Sequence, residues 1–516
     1  MRQYSSRKDG TLSANDLKNF LIYKQKFKGI DNNIATSIIN EIIIKLGTYR
    51  IEKPANLLGP FDFRYLLRSR WGNILKCGHE NIFQELDQPL SHYYINSSHN
   101  IYLVGTQING EAIIEGYINA IRKGARLLEL DVLDGAHGEP CIRHRGTLIT
   151  SRYLKDALTV IKNYAFRYTP YPLILTIENY CSLEQQQIMA RNFVEVLDNN
   201  IYLTPKNESL IRLPSPNQLK YKYLLRGKIG SVISKRYVNS KYDKDDKVAE
   251  TELLVHPELS RLISIIHVKS SNNLRDDKHS ANCSISISET KIRKLMEISE
   301  TFTVYTSKHF VKSYPKGLRQ NSSNFCPIQS WIFGIQSVSL NMQTNGKELD
   351  LNSGLFRING NCGYVLKPPI LIRGLGVLMR NENEDSDNFK VISGEYLPKP
   401  FSKDGEIIDP YVIVEIFDIP ADCNKFQTKV INKNGFHPVW NDRFKFELRS
   451  LEMAMLRLCV KDYDMTSTDD FIGEFSIPVN SIRPGYSIVS LFTGHDRIPN
   501  SSAAIFIHVD FQQIYF

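Results

Sequence analysis

The 516-residue sequence lacks the features of a membrane-spanning or disulfide-bonded protein. No apolar run approaches the roughly 20 residues that a membrane-spanning helix needs. The amino terminus, MRQYSSRKDGTLS, has no apolar signal core. The eight cysteines are scattered without a CxxC or zinc-binding spacing, which favours reduced thiols. We therefore expect a cytoplasmic protein that meets a bilayer only from the side.

Length and charge set wider bounds. With 516 residues and a hydrophobic fraction of 42%, the chain has room for about three or four domains with ordinary cores. Its formal net charge of +9 is a mild basic excess. Such an excess suits an acidic membrane surface, a phosphorylated substrate or a nucleic acid, and charge alone does not choose among them.

The first part of the chain, residues 1–89, has the apolar spacing of short helices. Ser13 is expected to cap the first helix, with Asp16 as its capping-box partner. The stretch Ser5–Asp16 has Gly10 at the sixth position, as in an EF-hand calcium loop, but serine and arginine at the first and third. We therefore expect a truncated, degenerate EF-hand-like region with a poor oxygen cage.

In residues 90–233, apolar runs that predict strands alternate with amphipathic runs that predict helices. Continuous apolar strands between helices indicate a buried parallel sheet. Polar residues fall at or just past the end of each run. This placement favours a β/α barrel, which collects functional groups at the carboxyl ends of its strands. After a polar linker at 234–253, the pattern continues over 254–372.

The last quarter of the chain follows a different pattern. An acidic linker at 373–388 precedes residues 389–516, where turn signals separate short alternating strands. This spacing is typical of an antiparallel β-sandwich of about 120–130 residues. The predicted fold is therefore multidomain: a short helical segment, a TIM-like α/β barrel split by a linker, and an all-β sandwich.

Three carboxylates and an amide in the first half of the barrel form a candidate metal site. Glu129 and Asp131 are two residues apart on one predicted strand, so both project from the same face. With Glu178 and the side-chain oxygen of Asn100 they would form an all-oxygen cage, which favours calcium over zinc. A single acidic residue is more often part of a surface salt bridge. Three at strand ends beside two histidines favour a shared cation.

Two histidines and two cations complete the requirements of a metal-assisted phosphodiester cleavage. His99 and His144 can exchange protons near neutral pH. One is suited to stabilise charge at phosphorus, and the other to protonate a leaving oxygen. Arg226 and Lys228 suit an anionic, phosphate-bearing substrate.

These residues lie in motifs that resemble a known family, the eukaryotic phosphoinositide-specific phospholipases C. The stretches that carry the resemblance are SHYYINSSHNIYL (91–103), LLELDVLDG (127–135), YPLILTIENYCSLEQQ (171–186), LPSPNQLKYKYLLRGK (213–228), SYPKGLRQNSSNF (313–325), LNMQTNGKELDLNSGLFRINGNCGYVLKPPIL (340–371), DPYVIVEI (409–416) and VKDYDMTSTDDFIGE (460–474).

The resemblance implies a fold and a reaction. The family fold is a distorted TIM barrel in X and Y halves, with EF-hand lobes before it and a C2 domain after it. The family reaction cleaves phosphatidylinositol 4,5-bisphosphate to diacylglycerol and inositol 1,4,5-trisphosphate in intracellular signalling, through a cyclic intermediate. In layout the sequence is most similar to the short delta-like or zeta-like class, without a pleckstrin-homology domain.

The resemblance also implies roles for individual residues. Glu129 would act as the base for the 2-hydroxyl, His99 would stabilise the transition state, and His144 would protonate the glycerol oxygen. The implied ligands of the catalytic calcium ion are Asn100, Glu129, Asp131 and Glu178. The residues implied to hold the inositol ring and its phosphates are Arg226, Lys228, Ser286, Lys312 and Tyr314.

Some positions depart from the family pattern. Arg226 stands where lysine is usual and Lys312 where arginine is usual, so the planar guanidinium moves to the other side of the pocket. We expect the preference for the bisphosphate to survive with altered affinity. Arg143 and Arg145 flank His144, where the family often has aromatic residues. This predicts membrane contact that relies on charge and weakens with salt.

The sandwich has its own implied calcium site. Lys433 stands where an asparagine ligand is usual, so we expect fewer or weaker calcium ions than a full set. The implied ligands are the carbonyl of Ile407 and the carboxylates of Asp409, Asp462, Asp464 and Asp470.

Two other functions are compatible with parts of this pattern. A catalytically silent relative would bind phosphoinositides or proteins as a scaffold, but such relatives usually lose a catalytic histidine or metal carboxylate, and all are present here. A glycerophosphodiesterase barrel would not explain the ring-phosphate cations or the sandwich. The expected partner is a phosphoinositide membrane lipid, contacted through the C2 domain and the barrel rim, with no nucleic acid and a monomeric chain.

Overall fold

The computed structural model describes residues 1–47, 56–101, 103–104, 111–112, 114–143, 151–205, 211–230, 255–269, 280–295, 299–375, 385–400, 407–448, 451–465, 468–494 and 496–513. The chain divides into two units. One comprises Gln84–Met379, and the other combines Met1–Phe83 with Arg380–Phe516. The amino-terminal helices therefore belong with the carboxyl-terminal sandwich, a pairing that the sequence did not predict.

The α-helices in the described part of the amino-terminal segment are α1 (Ala14–Asn19, continued by a π-turn at Phe20–Lys24), α2 (Asn32–Leu46) and α3 (Pro60–Arg68). Ser13 caps α1 and Asp16 completes the capping box, as predicted. The Asp16 carboxylate also accepts hydrogen bonds from the amide and hydroxyl of Ser6. Its oxygens are thus engaged within the protein, and an EF-hand origin for this segment stays a prediction.

Among the contacts between the helical segment and the sandwich, one side chain takes the place of a neighbouring strand. Gln25 is fully buried. Its amide donates to the Tyr486 carbonyl at 2.9 Å, and its oxygen accepts from the Tyr486 N–H at 2.6 Å. Arg483 adds a hydrogen bond to the Gln25 carbonyl at 3.2 Å and lies over the ring of Phe27. The Gln25 side chain therefore satisfies backbone groups that a neighbouring strand would otherwise pair.

Eight parallel strands close into a barrel. They are β1 (Tyr93–Ser98), β2 (Leu127–Leu133), β3 (Leu173–Tyr180), β4 (Tyr223–Gly227), β5 (Ile263–His267), β6 (Cys283–Ser288), β7 (Phe310–Tyr314) and β8 (Ser337–Leu340). Each strand pairs with the next, and β8 returns to pair with β1. The first four strands come from residues 90–233 and the last four from 254–372, so the two predicted halves form one barrel.

Helices connect the barrel strands, as the alternating pattern predicted. They are α4 (Glu115–Arg122), α5 (Leu154–Tyr164), α6 (Leu183–Leu197), α7 (Pro257–Leu262), α8 (Glu289–Leu295), α9 (Ser299–Lys308) and α10 (Ile328–Trp331). Two further helices, α11 (Lys347–Arg357) and α12 (Pro369–Ile372), follow β8. Short strands at Leu103–Val104, Glu111–Ala112, Cys141–Ile142, Arg152–Tyr153 and Tyr364–Leu366 lie outside the closed barrel order.

The sandwich consists of eight antiparallel strands: β9 (Asp385–Glu395), β10 (Pro410–Phe417), β11 (Asn424–Gln427), β12 (Val439–Leu448), β13 (Met455–Asp462), β14 (Asp470–Pro478), β15 (Gly485–Thr493) and β16 (Ile498–Gln513). Their order is β11-β10-β13-β14-β15-β16-β9-β12. Between β14 and β15 only Gly473 and Glu474 pair, so the sheet divides there into two four-stranded layers.

The predicted fold class, a TIM-like barrel followed by an all-β sandwich, is confirmed. Two boundaries differ from the sequence prediction. The barrel unit begins at Gln84, before the predicted boundary after residue 89, because Gln84 hydrogen-bonds both Asn359 and Leu366. The first sandwich strand begins at Asp385 rather than 389. Within the described residues, no helix has the length and apolarity to cross a bilayer.

Candidate active site

Alternation along the barrel strands places polar side chains on the face that lines the barrel. One buried apolar cluster contains Leu127, Ile174, Leu224, Ile265 and Phe310. Side chains two residues apart on a strand share a face. The next inward positions of the same strands are therefore Glu129, Thr176, Arg226, His267 and Lys312. One step nearer the carboxyl ends lie Asp131, Glu178, Lys228 and Tyr314.

Glu129 is a charged carboxylate in a buried setting. Its Oε1 contacts the equally buried ammonium of Lys312. Its Oε2 is buried without a hydrogen-bond partner among the described residues and lies 3.9 Å from His99 Nε2. Burial opposes ionisation, yet Lys312, His99 and Arg226 together hold the pKa of Glu129 below its ordinary value. Glu129 is therefore ionised at neutral pH, as a base or a metal ligand must be.

Asp131 and Glu178 face each other across neighbouring strands, because the register pairs them directly. Burial, helped by the negative charge of Glu129, raises the pKa of Glu178 despite the opposing effect of Lys312. Asn100, just past β1, is buried with φ at 42°, a left-handed conformation that asparagine tolerates. Carboxylates gathered in this way favour a cation between them.

The donor set fits calcium. Asn100 follows β1, whereas Glu129 and Asp131 lie within β2 and Glu178 lies near the carboxyl end of β3. Each can offer a side-chain oxygen to a cation. The buried, unpartnered Oε2 of Glu129 is the observation that most directly calls for a cation. Over the described part of the chain, no three His, Cys, Asp or Glu side chains already have metal-binding spacing. A calcium ion held by these oxygens would share Glu129 with Lys312.

Asn341 fixes the orientation of His99. Asn341 was not among the site residues predicted from the sequence. His99 Nδ1 lies 3.0 Å from Asn341 Oδ1, and Asn341 Nδ2 donates to the Ser323 carbonyl at 3.3 Å. Since the amide oxygen can only accept, Nδ1 carries the proton and Nε2 is directed at Glu129. The only available signal was the position of Asn341 directly after strand β8 in a motif already recognised.

A second pocket of charge lies beside the carboxylates. Arg226 is fully buried; its Nε donates to Ser284 Oγ at 3.0 Å and its Nη2 to Ser286 Oγ at 2.8 Å. Its Nη1 has no hydrogen-bond partner among the described residues. Burial lowers the pKa of Arg226 to about 10, although the negative charges of Glu178 and Glu129 oppose this shift. Because this pKa is still well above 7, the guanidinium stays charged at neutral pH.

The remaining predicted pocket residues follow from strand register. Lys312 pairs with Ser286, and Tyr314 with Ser288, across β6 and β7. The structure thus brings together Arg226, Ser286, Lys312 and Tyr314, with Lys228 exposed just past the end of β4. Lys312, predicted as a phosphate ligand, contacts Glu129 and therefore bridges the pocket and the carboxylates.

His144 and Arg145 lie outside the described residues, so the predicted acid for the leaving oxygen is not located. Arg143 is half-buried, and its N–H donates to the Asp131 carbonyl at 3.2 Å. This contact ties the segment that precedes His144 to β2, the strand of Glu129 and Asp131.

Three of the five predicted calcium ligands of the sandwich, Asp409, Asp462 and Asp470, lie together. The Asp409 N–H donates to Asp462 Oδ1 at 2.7 Å, and the Lys433 N–H donates to Asp409 Oδ1 at 2.5 Å. Register pairs Asp462 with Asp470. Lys433 thus contributes a backbone hydrogen bond to the loop where an asparagine ligand was expected.

Asp469 is a further acidic residue of these loops that was not predicted. Its carboxylate accepts hydrogen bonds from the Tyr411 hydroxyl and, at 3.1 Å, from the Asp464 N–H. The residue therefore orders the loop that carries Asp464. The adjacent acids Asp469 and Asp470 were the signal, and only one of the two was assigned.

The arrangement defines a class of protein: a β/α barrel whose mouth holds carboxylates, a histidine and buried cations, the groups that cleavage of a phosphodiester requires. Comparison with family models identifies it further. Residues 86–229 match the phosphatidylinositol-specific phospholipase C X domain, 259–370 its Y domain, and 388–493 a C2 domain. The chain belongs to the phosphatidylinositol-specific phospholipase C family, and the predicted resemblance is confirmed.

Individual relatives agree. The chain is 36% identical over 480 residues to 1-phosphatidylinositol 4,5-bisphosphate phosphodiesterase delta-4 of Xenopus laevis, covering 87% of this chain and 63% of that protein. It is 36% identical over 538 residues to the delta-1 protein of Rattus norvegicus, covering 97% and 70%. The crystal structure of L. pealei PLC21 superimposes with a TM-score of 0.84 at 27% identity, covering 100% of this chain and 68% of that one.

Similarity extends to a protein described as inactive. The chain is 34% identical over 538 residues to inactive phospholipase C-like protein 2 of Mus musculus, covering 98% of this chain and 47% of that protein. The chain spans 63% to 70% of the length of the two delta relatives. Family membership therefore leaves catalysis to be argued from the site itself.

Proposed function

We propose that this protein is a calcium-dependent phosphodiesterase that cleaves phosphatidylinositol 4,5-bisphosphate to diacylglycerol and inositol 1,4,5-trisphosphate in intracellular signalling. The observation that carries the proposal is the ionised Glu129, placed between His99 and Lys312 beside the Arg226 pocket. The relatives' names supply the substrate. The buried guanidinium supplies a reason for a phosphorylated inositol ring rather than a neutral one.

The residues divide the work of the reaction. Glu129 accepts the proton of the inositol 2-hydroxyl, whose oxygen attacks phosphorus while the bond to the glycerol oxygen breaks. With Nδ1–H held by Asn341, His99 acts in its doubly protonated form and donates through Nε2 to the phosphoryl oxygens as charge builds up. His144 protonates the departing glycerol oxygen, and water then opens the cyclic phosphate. Calcium, held by Asn100, Glu129, Asp131 and Glu178, would lower the pKa of the 2-hydroxyl and balance the phosphate charge.

The pocket supports selection of the bisphosphate. Arg226, held by two serine hydroxyls, keeps one buried nitrogen without a hydrogen-bond partner among the described residues. A ring phosphate is an acceptor that would satisfy it. Lys228 and Lys312 add charge, and Ser286 keeps a hydroxyl proton to donate. Tyr314, two residues beyond Lys312 on β7, would pack against the ring.

Membrane contact would come from the sandwich loops and the barrel rim. Beside the acidic loops, Phe436 is 77% exposed and Met465 is 87% exposed. On the barrel, Leu318 is 81% exposed. Apolar tips beside calcium-binding carboxylates suit a bilayer surface, where the metal neutralises the loop and the tips enter the lipid. These exposed residues support peripheral association with membranes, and the proposal includes a monomeric, cytoplasmic protein.

One assay tests the proposal: release of inositol trisphosphate from labelled bisphosphate vesicles, with calcium titrated, for wild type and His99→Ala. The expected loss is about 10³-fold, because the imidazole donates where transition-state charge develops. His437→Ala is the matched control, since it removes an exposed imidazole from the sandwich. Full activity of His99→Ala, or turnover independent of calcium, would refute the proposed mechanism.

The alternative is a catalytically silent scaffold that binds phosphoinositides. Its support is the similarity to a relative described as inactive. The two functions differ in one observation. A scaffold binds bisphosphate vesicles without releasing trisphosphate at any calcium concentration. The enzyme releases trisphosphate, and loses that activity in His99→Ala while vesicle binding is unchanged.

A further inference from the structure

One more side chain lines the barrel between groups assigned to the ring phosphates. His267 is the last residue of β5, which lies between β4, the strand of Arg226, and β6, the strand of Ser286. In register it pairs with Ser284. The Ser284 hydroxyl in turn accepts the hydrogen bond of Arg226 Nε at 3.0 Å.

The His267 imidazole faces the same pocket as the cations. Ile265, two residues earlier on β5, belongs to the inward-facing apolar cluster, so His267 projects from the same face of the strand. Burial, together with Arg226, Lys312 and Lys228, lowers the pKa of His267 to about 3. The ring is thus neutral at physiological pH, in a pocket whose positive charge comes from other side chains.

A neutral imidazole has one N–H donor and one acceptor nitrogen. Among the described residues, none is hydrogen-bonded to the His267 ring. A further cation would be repelled by the buried Arg226 and Lys312 and by the exposed Lys228, whereas a neutral donor adds a hydrogen bond without that cost. A phosphate oxygen is the acceptor that this positive pocket attracts, so the chemistry of the ring matches the chemistry of the ligand.

We propose that His267 is a substrate-binding residue, which donates a hydrogen bond to a phosphate on the inositol ring and helps to select phosphorylated over unphosphorylated inositol lipids. This inference rests on the proposed function, because it assigns a further contact to the same site. With it, four consecutive strands, β4 to β7, each contribute to phosphate binding.

Calorimetric titration of the whole chain with soluble inositol 1,4,5-trisphosphate tests binding without turnover. His267→Ala is expected to weaken affinity about tenfold, as loss of one hydrogen bond to a charged group does. His267→Gln, which keeps an N–H donor, should recover most of that loss. His437→Ala should bind like wild type. Unchanged affinity of His267→Ala, or no recovery with glutamine, would overturn the inference.

Initial rates on bisphosphate and unphosphorylated vesicles separate this inference from the proposed function. His267→Ala should raise KM for the bisphosphate about tenfold, with kcat and the rate on the unphosphorylated lipid little changed. An equal loss on both lipids would mean a structural role and overturn the inference. If the wild type binds trisphosphate through His267 but cleaves no lipid, the proposed enzyme fails and the inference stands. If the wild type neither binds trisphosphate through His267 nor cleaves the lipid, the proposed function and this inference are both wrong.

Discussion

The barrel and the sandwich each bury a carboxylate, under opposite conditions. In the barrel, Glu129 lies against Lys312, and its pKa is held below the ordinary value. In the sandwich, Asp418 follows β10, and burial together with the nearby charge of Asp422 raises its pKa to about 7. Each has one buried oxygen without a hydrogen-bond partner among the described residues. Burial alone therefore does not decide whether a carboxylate is ionised. The sign of the charge on the neighbouring side chain decides it.

The difference has consequences for stability and for function. The ion pair at Glu129 keeps a negative charge where a base or a metal ligand is needed, but each partner depends on the other. Among the described residues, Asp418 has no such cationic partner, and ionising it costs free energy of folding. Four substitutions probe the two regions, and the expected loss or gain decreases from Lys312 through Asp418 and Asn341 to Asp470.

Lys312→Met should destabilise the chain most, by about 3–5 kcal/mol, because it leaves the buried Glu129 without its cation. The midpoint of urea unfolding, measured with a calcium chelator present, reports the loss. Saturating calcium should restore part of it by supplying another positive charge. Lys312→Arg is the control that keeps the charge. An unchanged midpoint for Lys312→Met in chelator would contradict the role of the ion pair.

Asp418→Asn should stabilise the sandwich unit, by up to about 4 kcal/mol above pH 7. Because the pKa is about 7 in the folded state against an ordinary 3.8, the unfolded chain loses this proton first as pH rises. Stability of the wild type therefore falls between about pH 4 and 7 and then levels off, and the gain from asparagine grows over the same window.

Urea unfolding of the wild type and Asp418→Asn at pH 5, 6, 7 and 8 measures this gain. Glu447→Gln is the matched control, since Glu447 is exposed and its replacement should change stability by less than about 0.5 kcal/mol at every pH. A gain from Asp418→Asn that does not depend on pH would show that the ionisation of Asp418 is not its cause.

Asn341→Ala should lower kcat about tenfold, equivalent to about 1.4 kcal/mol, with KM little changed. The reason is that His99 loses the acceptor that fixes its tautomer and ring orientation. The pH profile of kcat should shift with it, whereas a purely structural defect would scale the profile without moving it. Asn341→Asp, which keeps an acceptor oxygen, should be the milder change; equal losses would argue against orientation.

Asp470→Asn should have the smallest effect on stability, within about 0.5 kcal/mol, because its carboxylate is only half-buried at a loop end. Calcium-dependent binding to anionic vesicles should weaken severalfold, while turnover of a short-chain, water-soluble bisphosphate lipid stays unchanged. Sedimentation with vesicles and a soluble-substrate assay measure the two separately. An equal loss of vesicle binding and of soluble-lipid turnover would show that the sandwich loops affect catalysis, and it would contradict separate roles for the two sites.

Much of the fold could be predicted from the sequence, because its signals are local. Apolar runs such as Leu173–Ile177 recur between amphipathic stretches such as Leu154–Tyr164, which forms helix α5. The polar residue after each run indicated the mouth of the barrel. Glu129 and Asp131 could be assigned together because alternation fixes their shared face.

The rest depended on contacts between residues far apart in the chain. That Lys312 contacts Glu129 rather than only the phosphate pocket depends on barrel closure, which joins residues 183 positions apart. Asn341 had no signal of its own, because an asparagine after a strand is common in turns. The depressed pKa of His267 arises from charges on other strands. Such effects follow from three-dimensional assembly, which local pattern does not encode.

The hydrogen bonds between Gln25 and Tyr486 have a practical consequence for anyone who divides this chain. A fragment that begins at the sandwich would lack the amino-terminal helices. The edge of β15 and the apolar surface beneath the helices would then be exposed to solvent, which favours aggregation. Protease-resistant pieces should instead retain both ends of the chain, held together after the middle is nicked. The amino-terminal helices and the carboxyl-terminal sandwich should therefore behave as one folding unit.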